Sequence, residues 1–439
     1  MRFKAVTLLF LIILSGYALA AGAAQPSVYC LGLAVPEGLK ESEPVIRGLE
    51  LYLEVYQSTL KQQLSREFGI APPDLEVCPP GQSVATPGPG ATSLPYDQAV
   101  KEVSSTLVKL DNSIAMIGNP AQEYDYIDYE FHNREKIPLI SLAATEGYGI
   151  RQSNYIFSMV YDDTWQGMIM ATYVKEILEA KSVLILFSAD NKTLSDSFSR
   201  QSAINGLKIA GSFQLSQKDL MENNLTPRLG RIKDHYDQII LLLQSEIAVE
   251  AVRQLSLAGI KTPLVGPDDL SSPKFISGLK SLPRHLQPKK ILVANPFFFE
   301  LTTVKARDLI ELYREKYHRQ EPSQFTVYAF DAAYLITRGL MHGLKQGKTS
   351  LPELRRAVKE YLESINSPDQ AVEGMSGRLY FDRDGVMRRP VIFSWLRNGE
   401  FYPAYTQLLG AQPYDPTLMT RSGVASPSGE VLLPSWSMA

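Results

Sequence analysis

The chain has 439 residues, of which 45% are hydrophobic and 21% charged, and its formal net charge is −3. This length is ample for two α/β cores, and the composition is ordinary for a globular protein. Because no large block of one charge sign occurs, we expect neither nucleic acid nor an anionic membrane surface as a partner.

The N-terminus shows the three-part pattern of a secretory signal peptide. Arg2 and Lys4 precede an apolar run over residues 5–14, and a stretch of small residues follows that run. We expect cleavage to remove residues 1–23 and to leave a soluble, periplasmic mature protein. The alternative is a membrane anchor, but the apolar run is short for a bilayer span.

From residue 28 onward, short β-rich runs alternate with helical patterns. The predicted strands of this first series cover 28–34, 75–78, 113–118 and 138–142, and the predicted helices cover 46–68, 98–110 and 124–136. Residues 79–95 are rich in Pro, Gly, Ser and Thr and are predicted to form a loop. The alternation predicts a parallel, doubly wound sheet.

The alternation then repeats, which indicates a second α/β lobe. The predicted helices of this series cover 163–178, 195–204, 227–233 and 246–258, and the predicted strands cover 182–187, 208–213, 238–243 and 263–266. The remaining predicted elements are a strand at 290–294, helices at 305–317, 326–344 and 352–365, and β segments near 378–381, 389–396 and 401–407. The tail from Gly410 is rich in Pro, Ser and Gly, which predicts extended or poorly ordered chain.

Several segments together resemble the type I periplasmic solute-binding proteins of the leucine/isoleucine/valine-binding family. The segments that carry this resemblance are 33–36, 114–118, 137–145, 155–159, 257–260, 264–268, 328–332 and 377–385. Their shared order over most of the mature chain is more specific than any one of them. The resemblance implies two Rossmann-like lobes with parallel sheets, joined by a three-strand hinge. Ligand then binds between the lobes, where crevices form at the carboxyl ends of the strands.

The resemblance also implies a domain organisation and a function. We expect a first lobe from residues 26–160 with 296–380, a second lobe from 161–295 with 381–409, and a tail over 410–439. The expected function is capture of a small molecule and its delivery to the permease of an ABC transporter. The alternative is a periplasmic sensor or regulatory protein on the same fold that signals to a partner protein. We expect a monomer in either case.

Two segments are candidates for ligand contact through this resemblance. Ala143, Ala144 and Thr145 follow a predicted strand, where family members hold the ligand carboxylate, although an ordinary turn with a capping Thr also fits. Asp268 follows another strand, where amino-acid binders place a carboxylate against the ligand ammonium. The alternative for Asp268 is an N-cap of a helix that begins near Ser271.

Other candidates depart from the family pattern or are less specific. Asn119 and Gln122 stand where family members carry Ser or Thr, and Ser195 lies where a Tyr-Gly pair is common. These departures leave the amino-acid ligand open, although an amide can still donate to a carboxylate. Gln244 follows a strand of the second lobe. The aromatic residues Trp165 and Phe297 belong to a set that could form an apolar wall, for an aromatic or apolar ligand, or simply pack in the core.

The two cysteines, Cys30 and Cys78, leave their pairing open. An oxidising compartment permits a disulfide, but the residues fall at the start of one predicted strand and the end of the next. Some members of the family pair a Cys that matches Cys78 with one near residue 119, and its absence here favours a free Cys78.

Motifs for catalysis and cofactor binding are absent from the sequence. The five His residues show no zinc spacing, and no G-x-S-x-G elbow or dinucleotide fingerprint occurs. Residues 343–349 read G-x-x-x-G-K-T, one residue short of a P-loop, and they follow a helix and not a strand. We therefore expect a protein that is not an enzyme and that holds neither cofactor nor metal.

Overall fold

The computed structural model describes most of the chain from residue 28 to residue 408. The described ranges are 28–35, 42–78, 96–118, 128–143, 153–222, 225–230, 232, 235–295 and 304–408, with short strands at 419–420, 423–425 and 431–432. The predicted signal peptide lies outside the described residues, as does most of the predicted tail. None of the described helices is both long and apolar enough to cross a membrane.

The first sheet has five strands in the order β2-β1-β3-β4-β5, and all neighbours run parallel. Its strands are β1 (Val28–Ala34), β2 (Asp74–Cys78), β3 (Ser113–Gly118), β4 (Leu139–Ser141) and β5 (Ile156–Ser158). The intervening helices are α1 (Ser42–Val55), α2 (Lys61–Phe68), α3 (Tyr96–Leu107) and α4 (Tyr129–Glu135). Every residue of β3 is buried, as expected for a parallel strand that helices cover on both faces.

The second sheet has seven strands in the order β14-β13-β10-β9-β8-β6-β7. Its strands are β6 (Ser182–Phe187), β7 (Lys208–Gln214), β8 (Gln238–Leu242), β9 (Leu264–Gly266), β10 (Ile291–Asn295), β13 (Ile392–Arg397) and β14 (Glu400–Pro403). The helices between β5 and β10 are α5 (Asp163–Glu176), α6 (Lys192–Ile204), α7 (Gln217–Met221), α8 (Leu225–Leu229), α9 (Ser245–Leu257) and α10 (Pro273–Ser281). Strands β6 to β10 are parallel, and β13 and β14 extend the sheet in antiparallel fashion.

After β10 the chain returns to the first sheet. The returning elements are α11 (Val304–Lys316), α12 (Gln324–Lys345), α13 (Leu351–Ser364) and the hairpin of β11 (Val372–Gly374) and β12 (Gly377–Leu379). Their apolar side chains join those of β1, α1 and β3 in one core. We call the part built on the five-stranded sheet the first lobe and the part built on the seven-stranded sheet the second lobe. The predicted fold class of two parallel-sheet α/β lobes is confirmed.

The chain passes between the lobes three times. The first crossing follows β5, the second follows β10, and the third joins β12 to β13. The first and third crossings run side by side, because Ser158 N donates to Gly385 O at 2.9 Å and Met387 N donates to Ser158 O at 2.9 Å. The domain boundaries given above for the two lobes remain a proposal.

The longest helix, α12, anchors the first lobe. Most of its residues are buried, and it packs against α1. The Tyr52 hydroxyl on α1 donates to Thr337 Oγ1 at 2.6 Å, which satisfies two buried polar groups across the helix pair. Asp331 on α12 accepts hydrogen bonds from Met375 N and from Ser376 N, and these bonds tie the β11-β12 hairpin to the core.

Cys30 and Cys78 form a disulfide, which contradicts the expectation of a free Cys78. Strands β1 and β2 are parallel neighbours in which Gly32 pairs with Cys78, so the two cysteines lie only two residues apart in register. Their Cα atoms are 5.6 Å apart, and both side chains face the apolar cluster beneath α3 and α4. Sequence spacing alone does not reveal this register.

We predict that reduction of the disulfide destabilises the protein. The bond closes a loop with a sequence separation of 48 residues, for which loop entropy gives roughly 4 kcal/mol of the free energy of unfolding. Urea unfolding curves with and without dithiothreitol measure this difference. The Cys30→Ala/Cys78→Ala double variant serves as control and should not respond to the reductant. Coincident curves for the wild type would contradict the prediction.

A second prediction concerns the packing of α1 on α12. Gly48 lies so close to α12 that an added Cβ would clash with the Thr326 carbonyl oxygen and would lie 3.0 Å from Ala329 Cβ. We expect Gly48→Ala to lower the free energy of unfolding by about 1–3 kcal/mol through overpacking. Gly230→Ala is the control, because its nearest neighbour would be 3.6 Å away. Urea denaturation should show no comparable loss for that variant.

Candidate functional site

The parallel strands of both sheets present their carboxyl ends to the region between the lobes. Each sheet has a switch point, between β1 and β3 in the first lobe and between β6 and β8 in the second, where neighbouring connections leave in opposite directions. Such points form crevices that bind ligands in open α/β sheets. The chain segments that follow β1, β3 and β4 lie largely outside the described residues, so the described part of the site comes from the crossings and the second lobe.

Five polar side chains from both lobes and the crossings meet in this region. We call them the crossing cluster, and its members are Tyr161, Gln166, Asp268, Tyr328 and Arg389. Gln166 Nε2 donates to Asp268 Oδ1 at 2.9 Å. The charges of Asp268 and Arg389 shift the pKa of both tyrosine hydroxyls, and the Arg389 guanidinium carbon lies 4.5 Å from the centre of the Tyr328 ring. The cluster thus combines a carboxylate, a guanidinium and two phenols in a buried setting.

Burial dominates the electrostatics of the two tyrosines. It raises the pKa of Tyr328 to about 12, although the Arg389 guanidinium opposes this rise. Burial also raises the pKa of Tyr161 well above its ordinary value, and the negative charge of Asp268 adds to that effect. Both phenols therefore stay protonated at neutral pH and are able to donate a hydrogen bond.

Arg389 is buried, with 5% of its surface exposed. Its guanidinium carbon lies 4.5 Å from the centre of the Tyr328 ring. None of its three side-chain nitrogens makes a hydrogen bond of normal geometry to a described residue, even though the Tyr328 hydroxyl is near enough to sense its charge. Its backbone oxygen accepts from Trp165 Nε1 at 3.3 Å.

The start of α5 positions the side chains on the second-lobe side. Asp162 caps the helix by accepting a hydrogen bond from Trp165 N at 2.7 Å, and this cap directs Trp165 and Gln166 toward the crossings. The neighbour of Arg389, Arg388, lies over the Trp165 ring at 4.8 Å and forms ion pairs with Asp162 and Asp382. These contacts fix the third crossing against α5.

A second carboxylate, Asp269, lies beside Asp268 in the short turn after β9. It is partly buried and accepts a hydrogen bond from Asn191 Nδ2 at 3.2 Å. Burial raises its pKa to about 7, and the charge of Asp268 adds to that rise, with a smaller contribution from Asp190. Asp269 is therefore largely protonated in mildly acidic solution.

The structure locates five of the ten residues that the sequence proposed for the site. Asp268 belongs to the crossing cluster, and Trp165 contacts its Arg389. Ala143 is buried just after β4, and Ser195 is buried in the first turn of α6. Gln244 is exposed at the start of α9. The other five lie outside the described residues, and they are Asn119, Gln122, Ala144, Thr145 and Phe297.

The structure tests the alternative interpretation of Asp268 as a helix cap. The helix that follows it, α10, is capped by Ser272, whose side chain accepts a hydrogen bond from Phe275 N at 3.2 Å. Asp268 instead turns its carboxylate toward Gln166. The helix-capping alternative therefore does not describe this residue.

Sequence reasoning missed Gln166, Arg389 and the polar role of Tyr328. The one local signal for Arg389 is that two arginines precede Pro390 at the entrance of an apolar strand. Charged residues rarely enter such a strand without a partner. Nothing in the sequence distinguishes the paired Arg388 from the unsatisfied Arg389.

A cavity of about 550 Å³ lies elsewhere, in the first lobe. The side chains that line it include Leu60, Leu309, Phe330 and Met375, all from that lobe. It therefore cannot couple a ligand to the approach of the second lobe. Among the described residues, no group of three or more His, Cys, Asp or Glu side chains is arranged to hold a metal ion.

Residues 127–400 match the model of a family described as periplasmic binding protein. The fold is similar to a leucine binding protein from Thermotoga maritima, with a TM-score of 0.60, 16% identity, and coverage of 86% of this chain and 97% of that one. An ABC transporter substrate-binding protein from Desulfitobacterium hafniense in complex with Leu gives a TM-score of 0.65, 16% identity, and coverage of 86% and 100%. A solute binding protein of an ABC transporter from R. palustris in complex with benzoate gives a TM-score of 0.57 and 14% identity, with coverage of 86% of this chain and 95% of that one.

At these identities the structural similarity establishes the fold alone. No curated protein matches the chain in sequence.

We predict that Asp269 makes stability depend on pH. Its pKa rises from an ordinary value of 3.8 to about 7 on folding, so between these values the folded protein keeps a proton that the unfolded chain has released. The free energy of unfolding should therefore fall as the pH rises from about 4 to about 7, and level off above that range.

Asp269→Asn should reduce this fall, because an amide cannot ionise. Urea unfolding at about pH 4.5 and about pH 8 measures the effect. Asp308→Asn, at an exposed position on α11, is the matched control and should keep the wild-type dependence. An equal pH dependence in Asp269→Asn and the wild type would contradict the assignment.

Proposed function

This chain belongs to the periplasmic binding protein family, and from that premise we propose that it captures a small, carboxylate-bearing solute between its two lobes. The solute is amino-acid-like or aromatic. The protein acts in the periplasm as a monomer without catalysis, after removal of residues 1–23, and delivers the solute to the permease of an ABC transporter.

The observation that carries this proposal is the crossing cluster. Tyr328 comes from the first lobe and Asp268 from the second, while Tyr161 and Arg389 lie on two of the crossings. A molecule bound among these groups contacts both lobes at once, so its binding energy favours the closed arrangement. A site within one lobe would lack this coupling.

The chemistry of the cluster fits a small acid with an apolar body. Asp268 offers a carboxylate to a ligand ammonium or hydroxyl group, and the phenols of Tyr161 and Tyr328 offer hydrogen-bond donors. Trp165 is 4% exposed and stands beside Arg389, so it can supply an aromatic wall. The similar folds that are described with Leu and with benzoate are consistent with ligands of this size and charge.

Delivery to a permease is the step that the family premise supports. The similar structures are described as parts of ABC transporters. A closed form that exists only with ligand gives a permease a surface by which to recognise loaded protein. No contact within the described residues favours the alternative of a sensor that signals to a partner protein.

We predict that the mature protein gains stability from small carboxylates and that Asp268 selects among them. A thermal-shift screen against amino acids and aromatic acids should find a ligand. At about a hundredfold excess over the dissociation constant, that ligand stabilises the fold by about 2.7 kcal/mol. Asp268→Asn should abolish the shift for ligands with an ammonium group and should leave benzoate-like ligands largely unaffected.

Asp308→Asn is the control, since this exposed carboxylate of α11 lies outside the crossing cluster. Thr145→Ala, at the loop that family resemblance assigns to the carboxylate, should weaken both classes of ligand. Absence of any shift from well-folded protein would contradict solute capture and would favour the sensor alternative.

A further inference from the structure

We infer that Arg389 holds the acidic group of the ligand, so that the protein takes anionic or zwitterionic acids and rejects their neutral analogues. This inference rests on the proposed function and assigns one part of the ligand to one side chain. Its basis is the state of the Arg389 guanidinium in the described structure.

Arg389 is a buried cation without an ion-pair partner among the described residues, although the Tyr328 hydroxyl lies near its guanidinium. Its surface is 5% exposed, and none of its three side-chain nitrogens makes a hydrogen bond of normal geometry there. A guanidinium carries five N–H donors in a rigid fork. Burial of such a charge without an acceptor costs free energy, and proteins rarely keep that arrangement unless another group completes it.

The nearby carboxylates are engaged with other groups. Asp331 accepts from the backbone N–H groups of Met375 and Ser376 and from the Ser376 hydroxyl. Asp268 accepts from Gln166 at 2.9 Å. Asp331 forms no hydrogen bond with Arg389, and the Arg389 charge acts on it only through space.

The adjacent arginine provides an internal comparison. Arg388 ion-pairs with Asp382 and Asp162 and lies over the Trp165 ring. Carboxylates therefore do lie within reach of the third crossing, and they form ion pairs with Arg388. Arg389 instead faces the crossing cluster, where no protein carboxylate among the described residues completes it.

The surroundings hold Arg389 in place without occupying the position where an acceptor would meet its N–H groups. Its backbone oxygen is fixed by Trp165 Nε1 at 3.3 Å, and the Tyr328 ring lies 4.5 Å from its guanidinium carbon. A preorganised guanidinium binds a carboxylate through two parallel N–H···O bonds, which a neutral amide cannot reproduce. Burial raises the pKa of both the Tyr161 and the Tyr328 hydroxyl and the Arg389 charge acts to lower it, so both phenols belong to its surroundings and remain hydrogen-bond donors.

The test uses isothermal titration calorimetry with matched acid and amide probes. The pairs are L-leucine and L-leucinamide, L-phenylalanine and L-phenylalaninamide, and benzoate and benzamide. The proteins are the wild type, Arg389→Gln, Arg389→Lys, and Arg397→Gln at an exposed position of β13 as the control.

We expect at least one acid to bind the wild type about 100-fold more tightly than its amide. Arg389→Gln should lose that preference, and Arg389→Lys should lose most of it, because an ammonium lacks the planar fork. Arg397→Gln should bind like the wild type. The melting temperature of ligand-free Arg389→Gln should stay level or rise, because a buried charge without an acceptor has been removed.

Two results would overturn the inference while the proposed function stands. They are equal binding of an acid and its amide to the wild type, and unchanged acid binding by Arg389→Gln. The first comparison needs no variant, so it decides the matter even if Arg389→Gln fails to fold. A wild type that binds none of the acids would instead contradict the proposed function, and the inference would fall with it.

Discussion

The pairing of the first and third crossings is the constraint on which the rest of the site depends. Two backbone hydrogen bonds, from Ser158 N to Gly385 O and from Met387 N to Ser158 O, fix the register between these connections. Tyr161 lies three residues after Ser158 on the first crossing, and Arg389 lies two residues after Met387 on the third crossing. A shift of this pairing by one residue would turn the side chains of the third crossing to the opposite side. The backbone pairing thus sets the position of the buried charge together with the hydrogen bond from Trp165 Nε1 to the Arg389 backbone oxygen.

Polar groups in and around the crossing cluster differ in how completely their hydrogen bonds are satisfied. The α12 carboxylate Asp331 is buried, but three donors from residues 375 and 376 satisfy it. Arg389 is buried and Asp269 is partly buried, both with fewer hydrogen-bond partners, and burial raises the pKa of Asp269 to about 7. The large apolar cores of both lobes can offset such local penalties. Buried polar groups with incomplete hydrogen-bond partners are typical of binding sites, because a ligand can provide the missing partner.

The sequence predicted the architecture better than it predicted the site. Alternating strands and helices were enough for two α/β lobes, since a wholly apolar strand such as β3 has to be covered on both faces. The family resemblance proposed Asp268 for the site, and the structure brings its carboxylate to Gln166 in the crossing cluster. The Cys30–Cys78 bond was not, because it depends on the register between β1 and β2. Arg389 was missed for a similar reason, since its surroundings come from chain segments more than sixty residues earlier, at Tyr328 and Tyr161.

The contrast between Arg388 and Arg389 connects the third crossing to the proposed ligand site. Neighbouring side chains of extended chain point to opposite sides. One arginine therefore reaches Asp382 and Asp162 and ties the third crossing to α5, while the other reaches Tyr328 in the crossing cluster. In the proposed complex, an acid bound to Arg389 therefore contacts the same short segment that Arg388 holds against the second lobe. Because Asp268 lies on the second lobe, a ligand between Asp268 and Arg389 would draw that lobe toward the crossing. In the proposed complex, the opposite charges of Asp268 and Arg389 let a small zwitterion contact the second lobe and the third crossing at once, which favours closure.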